Sequence, residues 1–206
     1  MSITLIIIII SSIVSIVAFG NRELFDKLQF NPSKIVHKKE YYRIITHAFL
    51  HANFLHLFIN MLVLFSFGTM VEYYFVEFFG MAKGKLLFSV LYLTSIIFSV
   101  LYSLQKHKDD VFYNAVGASG AVSAVVFTSI FFEPWNLVYF FGILPVPAII
   151  FGVIYLYYSY IMSKKDQTSF IAHDVHFWGS VYGFFFPVLI NYKFLFYFFA
   201  KLFFID

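Results

Sequence analysis

Residues 2–19 read SITLIIIIISSIVSIVAF, eighteen residues without a charge. A run of this kind matches the roughly 17–25 apolar residues needed to cross a bilayer as a helix. It is not alone. Comparable stretches occur at about 51–71, 85–104, 115–132, 146–162 and 170–192. The chain is 61% hydrophobic and 12% charged, with 31 Phe and 15 Tyr and a mean hydropathy of +0.84. Soluble domains carry about twice that share of charge. The expected fold is an all-α membrane protein with six transmembrane helices, forming one membrane domain over residues 1–206. The first stretch resembles a secretory signal, but no basic residue precedes it and no A-x-A site follows, so it is kept as a span.

Between the spans lie shorter pieces. Residues 20–46 form a polar connection. In EPWNLVYFFGILPVP, Pro134, Pro145 and Pro147 argue against one continuous helix, so 133–145 is read as interfacial. The aromatic tail from Tyr192 is read as interfacial or lipid-facing. No internal repeat is visible. A net charge of +3, scattered along the chain, does not point to nucleic acid. There is no cysteine, hence no disulfide and no thiol nucleophile.

Six spans place both termini on one side. The connections at 20–46, 105–113 and 163–169 then share the other side and hold ten of the 14 basic residues. Taken alone, the positive-inside rule puts those connections in the cytoplasm.

Ionisable groups inside spans are costly and usually functional. His47, His51, His56 and Asn60 occur in THAFLHANFLHLFINM, and His173 and His176 in IAHDVHFWGSVYG. His47 and His173 also fit positions at a membrane interface. His56 and Asn60, four residues apart, share a helix face. Together they offer a ring donor and an amide donor, the requirement of a developing oxyanion. His176 is followed by Gly179 and Gly183, a stripe that lets another helix approach closely. The fourth stretch opens on NAVGASGAV, with Ser119 between Gly117 and Gly120. A close approach of these two helices brings Ser119 and His176 to one depth, where an imidazole activates a serine hydroxyl. G-x-S-G by itself is equally a packing motif.

HANFLHLFIN, GASG and AHDVHFWGSVYG, on three spans and in this order, resemble the rhomboid intramembrane serine proteases. The resemblance runs from about residue 36 to 190. It includes YYR at 41–43, with Arg43 matching and Tyr42 in place of Trp, and the PVP before the fifth span. It implies that Ser119 is the nucleophile, His176 the general base, and His56 and Asn60 the oxyanion-hole side chains, joined by the Ser119 amide. His51 and His47 are then structural or water-holding. Gly117, Gly120, Gly179, Gly183 and Arg43 are supporting residues. Asp174 lies two residues from His176, roughly 200° away on a helix, so a dyad rather than a triad is implied. No metal or cofactor is expected. The expected partners are transmembrane protein substrates and the lipid bilayer. The resemblance also places the site on the extracytoplasmic side of a cell membrane, against the loop charges.

One departure stands out. Rhomboids often carry Tyr four residues after the nucleophile, packed on the catalytic His; here that residue is Ser123, and Phe177 or Phe127 is expected to substitute. The PVP at the start of the fifth span, or the 163–169 connection, is the expected mobile element. Other readings remain at this stage. A non-catalytic relative that binds membrane proteins is one. A membrane metal enzyme using His47-x3-His51 and His173-x2-His176 is another, although five histidines are few and no His is followed by Glu as in H-E-x-x-H. A His-lined channel would not need Ser119.

Overall fold

In the computed structural model, which describes residues 1–140, 143–165 and 172–204, helix α1 (Ile3–Phe19) follows the first apolar run. Its first turn sits in an apolar bundle, where free amides are costly. Glu72 answers this from the neighbouring helix α5 (Phe54–Phe79). The carboxylate accepts from the backbone N–H of Ile3 and Thr4 (2.9 and 3.0 Å) and from the hydroxyls of Ser2 and Thr4 (2.6 and 2.9 Å). An anion at a helix N-terminus also suits the helix dipole.

The polar connection is largely helical: α2 (Arg22–Leu28), α3 (Pro32–Lys38), α4 (Arg43–Thr46) and a 3-10 turn at His47–Phe49. Helix α5 and its successor α6 (Met81–Lys106) are longer than expected, at 26 residues each. They pack closely where Gly84 lies on the Phe75–Val76 backbone, with only 2.5 Å left for an added Cβ. Along α6, Ser95, Ser99 and Ser103 are buried at four-residue spacing, a stripe of small residues facing the centre of the bundle.

The centre is α7 (Ser119–Phe132). Every residue from Gly120 to Phe132 is buried. Its apolar character is therefore all-round, as in a helix enclosed by others. It ends at Glu133, which accepts hydrogen bonds from Tyr74 (2.8 Å) and Lys201 (3.0 Å). Where an interfacial segment was expected, the chain forms a hairpin of β1 (Leu137–Phe140) and β2 (Leu144–Pro147), with Leu137 opposite Pro147. Helices α8 (Ala148–Lys165) and α9 (His173–Ile190) follow. The tail is helix α10 (Phe194–Phe203), bent 117° from α9.

By length and hydropathy, α5 and α6 alone are long enough to cross a membrane among the described residues, or three spans if the bent α9–α10 pair is one. The other three, α1, α7 and α8, are shorter apolar helices. For α7 the physical reason is clear. The expected span began at 115, but the helix starts at Ser119. Its 14 residues rise about 21 Å, less than the roughly 30 Å hydrocarbon core. The missing length is irregular backbone, tolerated at that depth only where protein or a wet cavity surrounds it. The 163–169 connection, named above as a mobile element, lies mostly outside the described residues, as does the start of the expected sixth span.

Candidate active site

Ser119 is delivered to the site by a segment with no helix or sheet of its own. Phe30 and Ala115 exchange a pair of backbone hydrogen bonds (2.9 and 3.0 Å), forming an isolated antiparallel bridge. The Asn31 side-chain amide donates to the carbonyls of Val111 and Tyr113, both at 3.2 Å. The first connection is itself braced by Arg43, only 3% exposed. Its guanidinium donates to the carbonyls of Asp26 (2.8 Å) and Gln29 (2.9 Å) and to Glu40 (2.5 Å). The hydrogen bond from Arg43 holds the Glu40 carboxyl below its ordinary pKa. Arg43 thus ties together the carbonyls and the carboxylate of the connection that anchors Ala115.

Two residues past Ala115 region, the turn into α7 depends on Gly117. Its φ is +127°, a conformation that side chains disfavour. A Cβ there would stand 2.8 Å from His56 Cε1 and 3.1 Å from its Nε2. Gly117 also donates its N–H to the carbonyl of His47 (3.1 Å). Ala118, at the N-cap, has no polar side chain, and no side chain caps the helix. The first-turn amides, that of Ser119 included, have no intrahelical partner. Ser119 is partly exposed, at the edge of an otherwise buried helix.

The face of α5 opposite Gly117 carries the expected donors. His56 Nδ1 accepts from the Ala52 N–H (3.3 Å). A neutral imidazole with Nδ1 accepting has its proton on Nε2, so Nε2–H is the free donor beside Gly117. Asn60 gives one amide hydrogen to the His56 carbonyl (2.9 Å) and keeps a second. His51 is fully buried. The Ser15 hydroxyl donates to the Phe49 carbonyl (2.8 Å), so His51 Nδ1, 2.9 Å away, donates to Ser15. The His51 ring stands edge-on to His56, with centroids 5.1 Å apart. His47 bonds Arg43's carbonyl through Nδ1 (3.0 Å). Of the two, His51 meets the His56 ring, while the His47 ring packs on Phe30.

The α7–α9 contact follows the glycine stripe. An added Cβ at Gly179 would collide with the Gly120 carbonyl, and one at Gly183 with the Ala124 carbonyl. At Gly120 it would collide with Ser99 and reach within 2.8 Å of Val175. Thr128 also donates its hydroxyl to the Gly183 carbonyl (2.7 Å). Backbones in this contact put the first turn of α9, with His176, beside the first turn of α7, with Ser119. Ser119 and His176 share no hydrogen bond among the described residues. Asp174 is buried and turned to α6. It accepts from Ser103 at 2.6 Å and from the Val175 N–H. His173 is buried against Tyr158, with ring centroids 5.6 Å apart.

The chain that carries these residues has relatives. A model of the Rhomboid domain matches residues 38–193, three quarters of the chain. The chain belongs to the rhomboid family. RHOMBOID-like protein 12, mitochondrial, from Arabidopsis thaliana is 31% identical over 144 residues, which cover 66% of this chain and 43% of that protein. The chain therefore spans less than half of that relative's length.

Within this rhomboid, the expectation for the Ser123 position needs correcting. Neither Phe177 nor Phe127 packs on His176. Phe177 pairs with Tyr160 and Trp178, and Phe127 turns toward α8, against Gly152 and Tyr155. The ring stacked on His176 is Tyr155 of α8. Nothing in the sequence singled it out, since YLYYSY at 155–160 offers four tyrosines without a marked period. Among the described residues, no three His, Cys, Asp or Glu side chains converge as a metal site.

Proposed function

We propose that this protein is an intramembrane serine endopeptidase acting on transmembrane segments of membrane proteins. Ser119 attacks the scissile carbonyl. His176 takes the hydroxyl proton and returns it to the leaving amine. His56 Nε2–H, the Asn60 amide and the Ser119 backbone N–H hold the oxyanion. The acyl-enzyme is then released by water, activated by the same imidazole. The observation that supports this most is at the α7 N-terminus. A serine with an uncapped amide faces an imidazole whose Nε2–H is free, across a glycine that admits no side chain. A substrate helix must unwind locally, because its own hydrogen bonds shield the peptide bond.

The decisive experiment compares purified protein with a Ser119→Ala variant. Both are incubated with a fluorophosphonate and with a tagged transmembrane substrate. Labelling and cleavage by the parent alone are expected; labelling that persists in the variant removes Ser119 from its role. One observation favours a second reading, a non-catalytic rhomboid-like binding protein: Ser119 and His176 are not hydrogen-bonded. Such bonds often tighten only with substrate bound. Inertness of the parent toward both reagents would favour that second reading.

The same proposal includes six membrane crossings and a site facing away from the cytoplasm of a cell membrane. The loop charges argue against this, yet two of those ten basic residues stand within 4.0 Å of a carboxylate, Arg43 of Glu40 and Arg22 of Asp26. The chain contains no cysteine, so a single Cys at exposed Tyr41 reports its side cleanly. Labelling of intact cells by an impermeant maleimide is expected. Labelling only after lysis would reverse the orientation.

A further inference from the structure

Resting on the reading of His176 as the general base, we infer that Tyr155 is the positioning residue that fixes the His176 imidazole, and that it does so from α8. An isolated imidazole on a helix has two soft torsions, and a base must hold its lone pair on the nucleophile. An acidic partner usually serves this purpose. Here the carboxylate on the same turn of α9, Asp174, is engaged by Ser103 and by the backbone of Val175. Among the described residues, two rings pair with His176. His173 meets it edge-on, at 6.1 Å and 76°. Tyr155 lies nearly parallel, at 6.4 Å and 19°, an offset stack at the long end of the usual range.

Tyr155 is itself held on several sides. Phe151 stacks on it at 5.8 Å and Phe127 packs at 5.9 Å. Its hydroxyl is 3.0 Å from Ser123 Oγ, one turn along α7 from Ser119. The small Ser123 leaves room for that hydroxyl. Gly152 leaves room for α8 to approach α7, with an added Cβ 3.0 Å from Ile130. The result is a bridge from the nucleophile's helix, through a ring on α8, to the base on α9. The orientation of the base therefore depends on where α8 stands.

The test uses four proteins in detergent: the parent, Tyr155→Phe, Tyr155→Ala, and Tyr155→Ala combined with Ser123→Tyr, which supplies a ring from α7. Two readouts are taken. The first is the kcat and KM for the tagged substrate with the fluorophosphonate labelling rate. The second is the NMR signal of the His176 ring in histidine-labelled protein, assigned by its loss in His176→Ala. Removing the ring is expected to lower kcat and labelling about a hundredfold, as a misplaced catalytic group does, with KM little changed. Tyr155→Phe keeps most of the rate, and the double variant recovers part of it. The His176 signals shift in Tyr155→Ala and stay near the parent's in Tyr155→Phe. A Tyr155→Ala protein with unmoved His176 signals, or with the parent's kcat, overturns the assignment. If the parent is inert toward both reagents, the proposed function fails, and the NMR comparison alone decides the role of Tyr155.

Discussion

At the scale of single residues, the assignment of roles rests on where protons are. His56 presents Nε2–H because Ala52 occupies its Nδ1. Asn60 has one hydrogen to spare because His56's carbonyl takes only the other. Both are therefore donors without needing a charge. Replacing either by Ala is expected to lower kcat about 10²–10³-fold, the usual cost of an oxyanion-hole donor, with a much smaller change in KM. Steady-state cleavage of the tagged substrate measures this. A fall confined to KM would mean that the residue binds the ground state instead. His56, Asn60, Ser119 and His176 were legible in the sequence as candidates, since polar residues amid Leu, Ile and Phe stand out against the cost of burying them. Tyr155 was not. A tyrosine in an aromatic-rich helix carries no such contrast, and its partner Ser123 looked only like an absence.

Among the elements, the α7–α9 contact has the least tolerance. Gly179 and Gly183 rest on carbonyls of α7, so any side chain there must push two backbones apart. Gly183→Val is expected to destabilise the fold by about 1–3 kcal/mol, the range for overpacking a core, and to lower activity more than stability alone explains. Thermal unfolding in detergent, compared with the fluorophosphonate rate, separates the two. Gly183 lies two turns from His176, so a loss of reactivity in protein that remains folded reports displacement of α9. The H-x-x-G-x-x-x-G spacing showed this contact in advance, because helix periodicity alone aligns the three residues. The short α7 was not visible. The apolar run begins before Ser119, and only the Phe30–Ala115 bridge and the turn at Gly117 stop the helix from starting earlier.

For the whole molecule, the connection between α1 and α5 behaves as part of the core. His47 is 4% exposed, and burial pushes its pKa from 6.5 down to about 4. The unfolded chain takes up the proton at higher pH than the folded one does. Stability from this residue is thus complete above about pH 6.5 and is lost as pH falls toward 4, roughly 3 kcal/mol in all. Melting temperatures in detergent between pH 7.5 and 4 are expected to fall across that window. The fall is expected to be shallower in His47→Gln, even though that variant starts from a lower stability. An equal fall in both would place the acid sensitivity elsewhere.

The sequence by itself determined that the chain is a membrane protein, which polar side chains stand inside its apolar stretches, and which two helices must touch. Each of these follows from local contrast or from fixed helical period. Tertiary structure alone decided that the helix bearing Ser119 starts inside the bundle, that Glu72 satisfies the amides of α1, and that a ring from α8 meets His176. These are meetings of residues from 21 to 85 positions apart, on separate elements, and no local pattern encodes which of many similar aromatic or polar side chains fills a given gap. Close packing chooses among them, because only the partner whose volume and hydrogen bonds fit that space leaves neither a void nor an unpaired group.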